Sequence, residues 1–246
     1  LLPATGFELT ELDAKIEYGA GKLPNVIDPL MMERFLAPTG PYGRVLRPGD
    51  GMEPTTIAYV QCAGSRDKSL GIPYCSRVCC MYAIKQAMLI SGALPLADIT
   101  IYYMDIRAFG KGYEQFFQNA KAMGIEFVKG KIAAISQTSD QNVTLKYEAQ
   151  EEDGRLATRD HDLVILTLGM VPDWNPAGIC NLPTDSDAFI RCAMPQTAPT
   201  RTELEGVFVA GVAAGPKDIV DTIAEAGAAA MEASIYLKSV GNEQAA

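Results

Sequence analysis

Four of the six cysteines in this 246-residue chain fall within nineteen positions, as Cys62, Cys75, Cys79 and Cys80. Four thiolates brought together are what a cubane iron–sulfur cluster requires. Their setting constrains the fold as much as their number does. The apolar run Thr56-Ile57-Ala58-Tyr59-Val60 predicts a buried strand that stops just before Cys62. Val78 to Ile90 has helical periodicity, so Cys79 and Cys80 open a helix. In a nucleotide-binding fold such a strand–loop–helix junction normally carries a glycine-rich phosphate loop. Here the junction carries sulfur ligands.

Spacing alone leaves three readings of these cysteines open. Soft thiolates at a helix N-terminus suit an iron–sulfur cluster, because the helix dipole favours negative charge and lowers thiol pKa. The same four donors would hold a structural zinc. Zinc knuckles, however, pair short spacings, and one gap here is twelve residues. Buried inert thiols are the third reading. A redox dithiol would need C-x-x-C, which the chain lacks. Cys180 and Cys192 lie in a proline-rich region and read as free or packed thiols. His161 reads as a surface residue at a strand start.

The flanking sequence reads as α/β. Residues 1–5 predict a short strand ending at Gly6, and Asp28 caps a helix from Pro29 to Leu36. Residues 38–54 form a connecting loop. After the cysteine loop and its helix, with Gly92 as a stop, come a strand from Asp98 to Met104, a helix from Tyr113 to Met123 and a strand from Ile125 to Val128. This β-α-β-α-β order is the half-unit of a doubly wound nucleotide-binding domain. A hairpin follows over 131–137 and 142–149, turning at Ser139 to Asn142. Glu151-Glu152-Asp153-Gly154 reads as a solvated turn. Asp162–Leu168 is an apolar strand, 172–204 is irregular, Val207–Ala210 is a last strand, and Lys217 to about Val240 is one long alanine-rich helix.

Formal net charge is −9, with 48% hydrophobic and 21% charged residues. An acidic surface of this kind argues against nucleic acid or anionic membranes as partners. No apolar run reaches the ~20 residues that span a bilayer. Cysteine usage fits a reducing, cytoplasmic compartment better than a disulfide scaffold. The chain opens Leu-Leu-Pro-Ala-Thr-Gly without methionine, and further residues upstream are expected.

Three segments together resemble the two-dinucleotide-domain flavoprotein disulfide reductases: Ala4-Thr5-Gly6, Leu168-Gly169-Met170-Val171-Pro172, and Gly206-Val207-Phe208-Val209-Ala210-Gly211 before the long helix. Within that superfamily, Cys62-Ala-Gly-Ser-Arg-Asp and Tyr74-Cys75-Ser-Arg-Val-Cys79-Cys80-Met-Tyr-Ala-Ile-Lys85 closely resemble the A-type polypeptide of heterodisulfide reductase, most of all the version in sulfur oxidisers. Gly215-Pro216-Lys217-Asp218-Ile219 matches as well. The resemblance implies two Rossmann-like domains, the first, for flavin adenine dinucleotide (FAD), incomplete at its N-terminus. Residues 1–50 would be FAD-domain part and connector, 51–170 a second nucleotide-binding-like domain carrying the cluster loop, and 171–246 the return to the FAD domain.

The resemblance further implies one [4Fe–4S] cluster on Cys62, Cys75, Cys79 and Cys80. It implies FAD contacts at Thr5, Gly6, Gly211, Gly215, Pro216, Lys217, Asp218 and Ile219. It places Lys85 near the flavin N5; the plain alternative is a surface lysine with a buried stem. Arg66 either covers the cluster with donors or fixes the loop by an ion pair. The usual Gly-Asp pair at the ribityl chain departs here, since Val212 follows Gly211 and Asp218 is the nearest acid. A G-x-G-x-x-G fingerprint is also absent; Gly19-Ala20-Gly21 lacks the third glycine. As activity, the resemblance implies an electron-transferring oxidoreductase component in sulfur metabolism. It would form a homodimer inside a larger complex with heterodisulfide-reductase-like subunits bearing iron–sulfur centres. The cluster loop would displace NAD(P)H. A zinc-stapled binding module and a stand-alone NAD(P)H-dependent disulfide reductase are the alternatives.

Overall fold

The computed structural model describes residues 1–138, 140–150, 153–174, 178 and 181–244. Along the chain the strands are β1 (Glu8–Leu9), β2 (Val26–Ile27), β3 (Thr56–Val60), β4 (Asp98–Tyr103), β5 (Glu126–Gln137), β6 (Val143–Ala149), β7 (Arg155–His161), β8 (Leu163–Leu166), β9 (Met170–Val171), β10 (Cys192–Met194) and β11 (Ala198–Thr202). The helices are α1 (Pro29–Leu36), α2 (Cys79–Ala93), α3 (Tyr113–Ala122) and α4 (Ile219–Gln244). Contacts divide the chain into two units. One joins Thr10–Tyr74 to Cys79–Gly169; the other joins Leu1–Leu9, Cys75–Val78 and Met170–Ala246.

The first unit is a seven-stranded sheet in the order β2-β8-β3-β4-β5-β6-β7. From β2 to β5 all pairings are parallel; β5-β6-β7 is antiparallel. Alternation decides which side chains go where. Ile57 and Tyr59, Ile99 and Ile101, and Leu163 and Ile165 share one face with Met32, Ile84, Ala87 and Phe117 of the helices. On the opposite face Tyr102 meets Tyr147 of β6 and His161 of β7 edge-on, with ring centroids 4.9 and 5.7 Å apart. The antiparallel extension therefore covers the face that a second helix layer covers in a doubly wound fold. Asp28 caps α1 as expected, accepting from Met31 N at 2.8 Å.

The second unit pairs β1 with β9 and β10 with β11, both antiparallel. Its core holds Leu182, Ile190, Val209 and Ala213, and beside α4 it packs Phe208 and Ala210 on Ala229. Ala233 and Tyr236 of α4 pack against the same cluster, Tyr236 edge-on to Phe208.

Several expectations are corrected. Residues 1–5 form no strand: Pro3 has no donor, and Leu1 instead donates to Gly206 O and accepts from Phe208 N. Val207–Ala210 is likewise no strand beyond one bridge between Phe208 and Arg201. Gly92 does not stop α2, which runs on to Ala93; Pro95, by restricting Leu94, ends it. The strands expected at 125–128 and 131–137 are one strand, β5. Gly130 reads as a break because it is glycine, but it is needed for close pairing: a Cβ there would strike the Glu148 carbonyl. β7, β10 and β11 are additional strands: the alternation of β7 is mixed with charge, and β10 and β11 lie in the stretch that reads as irregular. Ser139, Glu151, Glu152 and Cys180 lie outside the described residues. Among the described residues no helix is long and apolar enough to cross a membrane.

Candidate functional site

The cysteine loop begins where β3 runs out. Gln61 still extends the ladder through its N–H to Tyr102 O at 3.0 Å. Cys62 then turns into the left-handed region at φ 57°, a conformation that costs a non-glycine residue about 1–2 kcal/mol. Arg66 and Arg77 also have positive φ, 56° and 63°. Such local strain persists only where surrounding contacts impose it. Those contacts are visible. Asp67 and Ile72 exchange two backbone bonds, at 2.7 and 3.0 Å, and Arg66 N–H reaches Tyr74 O at 2.8 Å. The long gap between Cys62 and Cys75 is thus a miniature hairpin that leaves and returns.

Arg66 fixes the loop by an ion pair. Its guanidinium pairs with Asp105 at 2.6 Å and also bonds the Cys62 sulfur, and these partners hold its pKa up against the burial that opposes them. Asp67 is held down to about 2, first by Lys15 and Ser69. Cys79 and Cys80 are buried in the first turn of α2. Cys79 Sγ lies 3.5 Å from Leu168 O and Cys80 Sγ 3.9 Å from Asp105 O. Tyr82, three residues on from Cys79, donates to Leu168 O at 3.1 Å, and burial and the Cys79 sulfur raise its pKa well above the usual range. Sequence reasoning missed Tyr82; its i, i+3 spacing from Cys79 is the signal that finds it. Lys85 meets Glu33 of α1 at 2.6 Å, beside Gln86, which bonds the same carboxylate at 2.9 Å.

In the second unit, Cys75 Sγ accepts the Arg77 N–H at 3.3 Å. The Arg77 side chain reaches Pro216 O at 3.4 Å and Asp221 at 2.9 Å. The Cys75–Val78 segment is therefore clamped to the start of α4. Ahead of α4, Gly215 sits at φ 134°, which L residues rarely adopt. Asp218 caps α4 by accepting from Asp221 N at 2.8 Å. Lys217 is buried and meets both Glu225 oxygens at 2.8 and 2.6 Å. Glu225 also accepts the Gly211 N–H at 3.1 Å. Glu225 thus draws together Gly211 and Lys217, two residues that the sequence singles out, while nothing local in the sequence marks Glu225 itself. It lies about two turns along the helix from Lys217. Ile219 is exposed, and Thr5 and Gly6 lie in the N-terminal segment of the same unit, Gly6 at φ 79°.

Among the described residues, no three His, Cys, Asp or Glu side chains gather at metal-binding separation. The chemistry of the donor set still fits an iron–sulfur cluster: four soft sulfurs, one already accepting a backbone N–H and one beside a guanidinium, which are the groups that stabilise a negatively charged cluster. Cys192 is different. It is half-buried, burial raises its pKa, and its Sγ faces Pro199 O at 3.0 Å. His161 is buried at 2% exposure rather than on the surface, because β7 folds it against Tyr102, whose hydroxyl lies 2.9 Å from Nε2.

No protein-family model matches the chain. Solved structures with the same fold include thioredoxin reductase of T. acidophilum, with TM-score 0.60 and 15% identity over 97% of this chain and 65% of that one. The Lactococcus lactis enzyme matches at TM-score 0.59, 16% identity, 97% and 66%. These place the fold among two-domain Rossmann-type α/β proteins. Among curated relatives, the A-type polypeptide of the H(2):CoB-CoM heterodisulfide,ferredoxin reductase of Methanothermobacter marburgensis is 42% identical over 240 residues, covering 96% of this chain and 36% of the relative. The corresponding A-type polypeptide of the ferredoxin:CoB-CoM heterodisulfide reductase of Methanosarcina mazei is 41% identical over 234 residues, covering 94% and 29%. The chain spans about a third of the length of these relatives. At such identity over nearly all of its residues, the chain belongs to the family of heterodisulfide reductase A-type polypeptides.

Proposed function

We propose that this chain is the electron-transferring part of a heterodisulfide-reductase-like oxidoreductase, holding FAD and one [4Fe–4S] cluster. The observation that carries the reading is the grip of Arg77, between Cys75 and Cys79 in sequence, on Pro216 and Asp221 at the start of α4. It ties the Cys75–Val78 segment to the loop and helix that would face a flavin. Cys62, Cys75, Cys79 and Cys80 would hold the cluster, which supplies one-electron exchange; Thr5, Gly6, Gly211 and Gly215 to Ile219 would border FAD, which supplies coupling of that exchange to two-electron thiol–disulfide chemistry.

The chain's own residues have separable tasks. Gly215 lets backbone approach the flavin where a side chain would be strained. The first turn of α4, whose Asp221 N–H is already taken by Asp218, would offer its remaining N–H groups and the positive end of its dipole to negative charge on a bound flavin. Glu225 fixes Lys217 and Gly211 behind that turn. Arg66 and the Arg77 N–H offset charge at Cys62 and Cys75. Lys85, on the family resemblance, tunes the flavin, with Glu33 as its ion-pair partner. The names of the relatives, A-type components of reductases of a heterodisulfide, support partner subunits; on the family resemblance these would carry further iron–sulfur centres and the disulfide substrate. Homodimerisation, a cytoplasmic setting and a place in sulfur metabolism belong to the same proposal.

Anaerobic purification with iron, sulfide, zinc and flavin analysis tests it. The expected result is a brown protein with about four iron and four sulfide per chain, and loss of most of that iron in Cys79→Ser. A colourless sample containing zinc rejects the reading. In the flavin-loaded protein, Lys85→Ala is expected to shift the flavin midpoint potential. An unchanged potential removes Lys85 from the site.

A further inference from the structure

Cys62 and Cys75 have the Arg66 guanidinium and the Arg77 N–H as donors. Cys79 has a donor of another kind. Tyr82 follows it by three positions on α2, which sets the two side chains on one face of the helix. The Tyr82 hydroxyl bonds the Cys79 sulfur. Both groups also converge on one carbonyl, Leu168 O, at 3.1 Å from the hydroxyl and 3.5 Å from the sulfur. All three residues belong to the same unit. Cys79 and Leu168 are 6% and 4% exposed, so little water competes for these bonds.

The supply of protons decides how this trio can be arranged. As a thiol, Cys79 donates to Leu168 O, and the Tyr82 hydroxyl donates there as well. A sulfur that ligates a metal has released its proton to solvent and can only accept. Leu168 O is itself an acceptor, so it cannot satisfy that sulfur. Tyr82 then holds the one proton left among the three groups. Rotation of the hydroxyl brings this proton between the sulfur and Leu168 O without moving a heavy atom. Packing does not account for the hydroxyl, because the Tyr82 ring lies against the apolar core, where phenylalanine would serve as well.

We propose that Tyr82 is a positioning residue of the metal centre: its hydroxyl shares its proton with the Cys79 sulfur and thereby raises the reduction potential of the cluster bound there. Donors to cluster sulfurs stabilise the more negative, reduced state. The inference rests on the cluster reading given above and adds to it a neutral O–H donor on a named ligand.

Redox titration of the cluster-loaded chain, followed by electron paramagnetic resonance of the reduced cluster, tests it in wild type and Tyr82→Phe. The expected result is a reduction equilibrium about three- to tenfold less favourable in the variant, the larger figure corresponding to ~59 mV for one electron. Iron content and far-ultraviolet circular dichroism should stay as in wild type, since a single oxygen is removed. Tyr59→Phe is the control. The Tyr59 hydroxyl is buried and bonds Gln86 Oε1 at 3.1 Å, and its loss should leave the potential unchanged. A potential in Tyr82→Phe within about twofold of wild type on the same scale, or an equal fall in Tyr59→Phe, overturns the proposal. Zinc in place of iron rejects the cluster reading, and the effect on potential with it, while the hydrogen bond is then read separately. In the cobalt(II)-substituted chain, the sulfur-to-cobalt absorption should move to lower energy in Tyr82→Phe, and an unmoved band overturns the bond as well. A chain that holds neither metal through these cysteines overturns both readings.

Discussion

Acidification from pH 7 to pH 4 is expected to remove on the order of 3 kcal/mol of folding stability through one residue, His161. Burial, and then the nearby Arg159 charge, lower its pKa from 6.5 to about 4. The neutral ring is therefore the folded form, with Nε2 bonded to Tyr102 and Nδ1 buried without a partner. Protonation would add an unsatisfied donor and an unpaired charge in the same closed space. The unfolded chain takes up the proton from about pH 6.5 downward, whereas the folded chain resists until about pH 4. Stability is fully present above pH 6.5 and is lost as pH falls through that window, at about 1.4 kcal/mol per pH unit. Asp67, held down to about 2, loses its contribution only below pH 3.8, so the two effects separate. Urea unfolding of wild type and His161→Gln at several pH values measures it. The difference between them should change by about 3 kcal/mol between pH 7 and 4. A constant difference would show that His161 does not titrate as described.

Glu225→Ala should cost about 3–5 kcal/mol, more than any surface change in the chain, because it strands a buried ammonium. Lys217 has 7% side-chain exposure and spends its charge on Glu225 alone among the described ion pairs. The same substitution removes the acceptor of the Gly211 N–H. The double variant Lys217→Met/Glu225→Leu removes both charges and should recover most of the loss, since a buried pair is worth little over an apolar pair of similar volume. Chemical unfolding distinguishes the two. If Glu225→Ala loses less than about 1 kcal/mol, the pair is hydrated and behaves as a surface bridge. Flavin retention in the two variants then reports whether the loop from Gly211 to Lys217 needs this ion pair for its shape.

The parallel core is legible in the sequence because its strands are buried on both faces and read as unbroken apolar runs. Thr56–Val60 and the cysteines that follow mark the junction directly, and Asp28-Pro29 marks α1. The antiparallel extension is harder to see. Half its residues face solvent, so β7 reads as Arg-Leu-Ala-Thr-Arg-Asp-His, a charged stretch with little apolar alternation. His161 reads as a surface residue for that reason. Whether a histidine at a strand end is buried depends on what the strand folds against.

The order of the cysteines, the helix that Cys79 and Cys80 begin, and the glycine-proline approach to α4 follow from local chemistry: the apolar period, the missing side chain, the fixed proline ring. Which groups meet across long stretches of chain is another matter. Arg77 with Asp221, Lys217 with Glu225 under Gly211, and Tyr102 with His161 are decided by strand order and register. Charge and hydrogen-bonding capacity are written residue by residue. Their partners are selected only when the sheet closes and water is excluded, because only there does an unmatched polar group carry a large cost.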